Sequence, residues 1–177
     1  MPKILLVTVG GSFQPIVTSI CTLQPDRVIF VCSDGDKGSK VQVIGEGTPC
    51  EVRGGAEVLE SLPNIPTQVE LGDRFQPERD LILIQNPDDL SECYRLAADK
   101  IRTLQQESAE HEIIADYTGG TKTMSAALVL ASVDCGISLY VTVGTTRENL
   151  VRFEQGESTQ KVSTSWIGNR IRSTENA

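Results

Sequence analysis

Five short apolar runs recur along this chain of 177 residues, and stretches of helical character separate them. Lys3 to Val9 is continuously apolar in character, the pattern of a strand whose two faces are both covered. Arg27 to Cys32, Asp80 to Gln85, Ile113 to Ala115 and Ser138 to Val143 follow in the same style. Between them, Pro15 suits the first turn of a helix running through Leu23. Asp88 or Asp89 caps a long amphipathic helix to about Glu110, with Leu90, Tyr94, Leu96, Ala97, Ile101 and Leu104 on its inner face. Met124 to Ala131 consists mostly of good helix formers and begins a helix that ends at Gly136. Strands alternating with helices predict an α/β, Rossmann-like parallel sheet with helices on both faces. Leu150 to Phe153 is expected to return antiparallel beside the last run, as a β-hairpin at the C-terminal edge.

Length fits one domain with an ordinary core, or one domain plus a short extension. The expected division is a domain over 1–155 and a polar tail or linker over 156–177, with Trp166 and Ile167 docking locally. Lys37 to Arg79 is rich in Gly, Pro and short β-prone pieces, and reads as irregular with one helix near Ala56 to Leu62. There is no internal repeat. A net charge of −8 repels long nucleic acid, because it leaves no broad basic surface for counterion release. The longest N-terminal apolar run, Ile4 to Val9, is too short for a signal-peptide core or a membrane span. Five widely spaced cysteines with no C-x-x-C pair argue against zinc and against a disulfide framework, and make a reducing cytoplasm the expected location.

Ligands of open α/β sheets bind outside the carboxyl ends of the strands. That rule gathers Gly10-Gly11-Ser12-Phe13, Ser33-Asp34-Gly35, Gln85-Asn86 and Thr118 to Thr123 onto one rim, joined by the turn Gly144-Thr145-Thr146-Arg147. The last strand–turn–helix run is the richest in information. Gly119 and Gly120 permit a tight turn and close approach to a ligand. Lys122 adds a full charge to a helix N-terminus, which already attracts anions. This is not a Walker A loop, which needs Gly directly before the Lys and another five residues earlier; here those positions hold Thr121 and Asp116.

The rim's amides, hydroxyls and lysine suit phosphates and sugar hydroxyls, and its scattered carboxylates do not suit a divalent metal. The single histidine, His111, precedes the strand that ends at Thr118, and seven extended residues put it roughly 20 Å away at the opposite rim. Histidine-based nucleophile schemes therefore lack a base. Ser12 either caps the first helix or serves the rim. Asp116 either coordinates something or braces its turn, and Arg147 either reaches a phosphate or is solvated. Cys93 and Cys135 fall on inner helical faces.

Val9-Gly10-Gly11-Ser12 after the first strand, with Asp116-Tyr117-Thr118-Gly119-Gly120-Thr121-Lys122-Thr123-Met124 late in the chain, resembles the CARF domain, the CRISPR-associated Rossmann fold. The two motifs span about Lys3 to Arg147. The resemblance implies a homodimer that binds a cyclic oligoadenylate, tetra-adenylate foremost, across its two-fold axis, with no cofactor and no metal. CARF proteins usually carry an effector domain, in many a HEPN ribonuclease with an Arg-x(4–6)-His motif. This sequence has no such motif, and its tail is expected to be too short for another domain. A CARF domain standing alone is similar to the ring nucleases, which cleave the ring to linear di-adenylate with a 2′,3′-cyclic phosphate and end the antiviral signal. By this resemblance Lys122 and Ser12 are catalytic. Gly10, Gly11, Phe13, Ser33, Asp34, Gln85, Asn86, Thr118, Gly119, Gly120, Thr121, Thr123 and Arg147 bind the ligand. The competing expectations are a non-catalytic sensor, or the sensor part of a longer sensor-effector, that binds the ring and signals to a partner, and a generic Rossmann-like nucleotide binder.

Overall fold

The protein's structure, a computed structural model, describes residues 1–144 and 157–164. Its centre is a six-stranded sheet in the order β5-β2-β1-β6-β7-β8. The strands are β1 (Lys3–Thr8), β2 (Arg27–Ser33), β5 (Leu81–Ile84), β6 (Glu112–Asp116), β7 (Ser138–Gly144) and β8 (Glu157–Val162). The first five are parallel, and β8 runs antiparallel to β7. Register explains why the runs are continuously apolar. Leu5 pairs with Val28 on one side and Ile114 on the other, and all three point into one core. Leu6, Ile29 and Ala115, one step along, enter the core on the opposite face. Alternation therefore sends every second residue to a different buried layer. Burial of such side chains contributes about 1.5–3 kcal/mol each.

Helix α1 (Gln14–Leu23) covers the first face through Ile16, Ile20 and Leu23. Helices α5 (Leu90–Glu107) and α6 (Lys122–Asp134) cover the second, through Ala97, Ala98, Ile101 and Leu104 of α5 and Leu128 and Ala131 of α6. Of the two candidate caps for α5, Asp89 takes the position, accepting from the amides of Ser91 at 2.8 Å and Glu92 at 3.0 Å. The Rossmann-like α/β architecture expected from the sequence is the one observed. From the central β1 the chain first builds outward through β2 and β5, then returns to build β6 and β7 on the other side. The crevice between β1 and β6 is therefore the switch point where such sheets hold ligands.

Two regions differ from expectation. Residues 50–62 form a separate antiparallel hairpin of β3 (Cys50–Gly54) and β4 (Glu57–Leu62), where a helix was expected near Ala56 to Leu62. Its root is buried, with Cys50, Val52 and Leu62 in the first core, while residues 57–61 are exposed. Short helices α2 (Val41–Ile44), α3 (Ile65–Gln68) and α4 (Pro77–Asp80) connect the remainder of this segment. At the C-terminal edge the expected antiparallel hairpin is present, but the second difference is that the partner of β7 is Glu157–Val162, a segment expected to be a polar tail. Main-chain pairing with β7, and a 2.8 Å hydroxyl contact between Thr142 and Thr159, hold this polar strand. The sheet thus extends beyond residue 155. The expected return strand at Leu150 to Phe153, and the docking of Trp166 and Ile167, lie outside the described residues. Among those described, no helix is long and apolar enough to cross a membrane.

Candidate functional site

The loops after β1 and β6 meet at the switch point with their backbones in contact. A Cβ on Gly10 would lie 2.5 Å from the Gly120 amide nitrogen, and one on Gly119 would lie 2.2 Å from the Thr8 carbonyl oxygen. No side chain fits at either position, so glycine is required for closeness. Gly120 needs it for a second reason, since its φ is +86°. The Thr8 hydroxyl donates to the Gly119 carbonyl at 2.7 Å, and the Ser125 hydroxyl donates to the same oxygen at 2.8 Å. These bonds tie β1, the glycine turn and α6 into one floor.

A buried carboxylate braces that floor from below. Asp116 accepts from the Ser19 hydroxyl at 2.5 Å, the Thr118 amide at 2.8 Å and the Thr142 hydroxyl at 3.3 Å, and from the Thr118 hydroxyl as well. The Thr118 hydroxyl in turn accepts from the Thr142 amide at 2.6 Å. Asp116 therefore links α1, the turn and β7, which settles its role as a brace. Thr121 caps α6 by accepting from the Met124 amide at 3.1 Å, and donates to the Pro87 carbonyl at 2.8 Å. The amides of Lys122 and Thr123 in the first turn have no intrahelical acceptor, so they present N–H groups at the positive end of the helix dipole.

Over the floor opens a cleft of about 480 Å³. Gly10, Gly11, Gly120 and Thr121 form one side, the loop after β2 another, and the β3–β4 hairpin a third through Glu51 and Arg53. The loop after β2 is tightly built. The Ser33 amide donates to the Ser39 hydroxyl at 3.0 Å, the Ser39 amide to the Ser33 hydroxyl at 2.9 Å, and the Lys40 amide to the Ser33 carbonyl at 3.2 Å. A Cβ on Gly38 would sit 2.3 Å from the Ser33 carbonyl oxygen, so this turn too closes on a glycine.

The rim residues expected from the sequence separate into three groups. Gly10, Gly11, Ser33, Gly120 and Thr121 line the cleft, and the Gly11 carbonyl accepts from the Gln42 side chain at 3.1 Å. Ser12 and Lys122 are exposed and adjoin the floor's glycine turns in sequence, but they are not among the residues that line the cleft. Helix α1 begins after Phe13, which holds the N-cap place without a side-chain bond, so Ser12 stands one residue too early to cap it.

The other residues have structural tasks. Phe13 is buried in the first core, and its ring is not offered to a ligand; this corrects the expectation of a binding role for the side chain. Thr118 and Gly119 serve the brace and the floor. Thr123 is half-buried in the first turn of α6. Asp34 accepts from Lys40, from the Gln85 side chain at 2.6 Å and from the Gly35 amide at 2.7 Å. The Lys40 bond, followed by those from Gln85 and Gly35, holds its carboxyl down at about 2. Asn86 accepts from the Asp88 amide at 3.2 Å and shapes its own turn. Arg147 lies outside the described residues.

Sequence reading missed Lys37, Ser39, Gln42 and Arg53, all of which line the cleft. For Lys37 and Ser39 a signal existed, because the polar turn after β2 continues past Gly35 through Asp36-Lys37-Gly38-Ser39. Arg53 had none, since its position depends on a hairpin that the local sequence does not announce.

The chemistry open to the site is restricted. His111 sits at the opposite end of β6, next to the turn that follows α5. Burial pushes the Cys32 thiol up, and raises Cys50 to about 11, so neither offers a thiolate near neutral pH. Among the described residues no group of three or more His, Cys, Asp or Glu side chains could hold a metal ion. What the site presents is backbone N–H, hydroxyl and cationic side chains, a set suited to a phosphodiester, together with the carboxylates of Asp36 and Glu51.

No protein-family model and no curated protein matches this sequence. Among solved structures, Enterococcus italicus Csm6 bound to cyclic hexa-2′-fluoro-hexa-dAMP is similar, with a TM-score of 0.63 and 14% identity. The match covers 97% of this chain and 43% of that one. Can2 from Sulfobacillus thermosulfidooxidans, in complex with cyclic tetra-adenylate, matches with a TM-score of 0.52 and 14% identity over 91% of this chain and 37% of that one. The chain thus spans less than half the length of either protein. At this identity the likeness establishes the fold, and the resemblance to CARF domains holds at that level.

Proposed function

We propose that this protein is a CARF-domain ring nuclease: two copies bind cyclic tetra-adenylate across a two-fold axis and cleave it without a metal. The observation that carries this reading is the glycine floor. Two loops with touching backbones, flanked by an exposed hydroxyl at Ser12 and an exposed ammonium at Lys122, form a surface matched to a ribose–phosphate chain. Solved proteins of the same fold hold cyclic oligoadenylates, which supports the choice of ligand. A ring of four identical nucleotides is itself symmetric, so an isologous dimer offers the same loops to both halves.

Cleavage is an in-line displacement at phosphorus. The ribose 2′ oxygen forms a bond to the adjacent phosphorus, the bond from phosphorus to the 5′ oxygen breaks, and the proton lost at the 2′ position is balanced by one gained at the leaving oxygen. Two such cuts yield linear di-adenylate with 2′,3′-cyclic phosphate ends. The protein's part is to align attacking and leaving oxygens and to stabilise charge on the pentavalent phosphate. Lys122 and the first amides of α6 stabilise that negative charge, while Ser12 orients the ribose or phosphate. Gly10, Gly11, Ser33, Gly120 and Thr121 hold the backbone of the ring.

The test is incubation with cyclic tetra-adenylate in EDTA, followed by chromatography. The expected result is linear di-adenylate with cyclic phosphate ends, and light scattering is expected to show a dimer. Tight binding with no product over hours would replace the enzyme by its alternative, a sensor that binds the ring and signals through a partner or a further domain. One observation favours that second reading: the similar solved proteins are each more than twice as long as the part this chain matches.

A further inference from the structure

We infer that Arg53 and Lys37 are the phosphate-binding cations of the cleft, and that Glu51 occupies the Arg53 guanidinium until a ligand phosphate displaces it. The inference rests on reading the cleft as the cyclic oligoadenylate site, and adds a wall that the family motifs do not contain. Three features of the hairpin support it.

The first is placement. The hairpin is anchored in the core by Cys50, Val52 and Leu62, and the alternate residues of β3, Glu51 and Arg53, border the cleft. Arg53 therefore stands on a fixed arm.

The second is a β-bulge at that level. Val52 pairs with Glu60 and Arg53 with Val58, which leaves Leu59 as the extra residue on β4. Bulges bend the strand and re-aim side chains, and they concentrate beside functional sites. Leu59 also packs on Gly54, where a Cβ would be 2.9 Å from its side chain, so the bulge is held.

The third is charge. The Arg53 guanidinium donates twice to one Glu51 carboxylate oxygen, at 2.9 and 2.6 Å, in a pair whose side chains are 60% and 41% exposed. Exposed pairs of this kind contribute little to stability, so exchanging one partner for another costs little. A guanidinium is also well suited to a phosphate, which it meets with two parallel N–H groups.

Lys37 complements Arg53 from the neighbouring wall. The Ser33–Ser39 turn fixes the backbone beneath it, and among the described residues its ammonium makes no ion pair. Lys40, three residues on, is committed to Asp34. Asp36 and Glu51 also border the cleft, so the empty site is close to neutral. An incoming phosphodiester gains from both cations once Glu51 has released Arg53. The glycine floor then supplies shape and short-range N–H contacts, and the wall supplies full charges.

The exchange predicts opposite signs for two neighbouring substitutions, which a structural ion pair does not. Affinity is measured by calorimetry with 2′-fluoro cyclic tetra- and hexa-adenylate, which lack the attacking hydroxyl. Arg53→Gln and Lys37→Gln are each expected to weaken binding about 10-fold, the effect of one charge-assisted bond, and to flatten its salt dependence. Glu51→Gln is expected to tighten binding about 3-fold, by removing a competitor and a like charge. Circular dichroism melts check that each variant folds.

Unchanged affinity in both cation variants, with the unaltered chain binding, would overturn the inference and leave the cleft assignment standing. Weakening by Glu51→Gln to the extent of Arg53→Gln would make the pair structural and end the exchange. Failure of the unaltered chain to bind either ring would overturn this inference together with the function on which it rests.

Discussion

The glycine floor and the β3–β4 hairpin border one cleft but are built in opposite ways. The floor belongs to the two central strands. Its shape is set by backbone contacts too close for a Cβ, and a buried carboxylate with four donors holds it. The hairpin is peripheral, exposed along most of β4, and presents charge through long side chains that reach solvent. The difference separates two requirements of phosphate recognition. Geometry must be rigid, so it is placed at the ends of the two central strands, where backbones touch. Full charges must remain hydrated until the ligand arrives, so they stand at the surface, where desolvation costs little.

Substitutions that strike one region and spare the other test this division. The largest effect on stability is expected at the floor. Gly119→Ala drives a methyl into the Thr8 carbonyl and should cost about 3 kcal/mol in urea unfolding, at the upper end for overpacking. Gly11→Ala, where nothing lies within 4 Å, should melt like the parent. Equal melting of the two variants would show that the floor relaxes easily. Lys122→Ala should do the reverse, lowering cleavage by about 10²-fold while leaving the melting temperature unchanged, because its side chain is exposed. Undiminished cleavage would remove Lys122 from the reaction.

The brace should respond in stability first. Asp116→Asn places an amide donor among groups that already donate, and should cost about 2 kcal/mol. If instead ligand affinity fell with no change in unfolding, Asp116 would be acting on the ligand and not on the fold. The smallest effect concerns the loop behind the hairpin. Asp34 has a folded pKa below the ordinary carboxylate value, so the Lys40 and Gln85 bonds contribute in full above about pH 4. They are lost as the pH falls toward about 2. Carboxyl-detected NMR should show that titration, and Lys40→Met should move it back toward the ordinary value. A titration unmoved in the variant would mean that Gln85 and the Gly35 amide suffice.

The parts legible from sequence are those where chemistry and fold agree locally. Continuous apolar runs identified β1, β2 and β6 because both faces are covered, and the position before an amphipathic stretch narrowed the cap to Asp88 or Asp89, of which the structure selects Asp89. The glycines of the two motifs marked the switch point, since a turn touching another backbone excludes other residues. The illegible parts depend on partners distant in sequence. Residues 57–62, Glu-Val-Leu-Glu-Ser-Leu, contain good helix formers and little apolar alternation, and only pairing with β3 makes them a strand. Glu157–Val162 is polar throughout its middle and reads as a tail until β7 supplies its hydrogen bonds.

Sequence by itself determined the layered α/β plan, the rim on which the glycine loops lie, and the absence of a histidine from that rim. These follow from hydrophobic period and backbone sterics, which act within a few residues. Tertiary structure alone decided that Asp116 is a brace, that Phe13 belongs to the core, and that Lys37 and Arg53 share a cleft with the glycines. A brace, a burial or a shared cleft is a relation between residues tens of positions apart, and only close packing brings such residues within reach of a hydrogen bond or a charge.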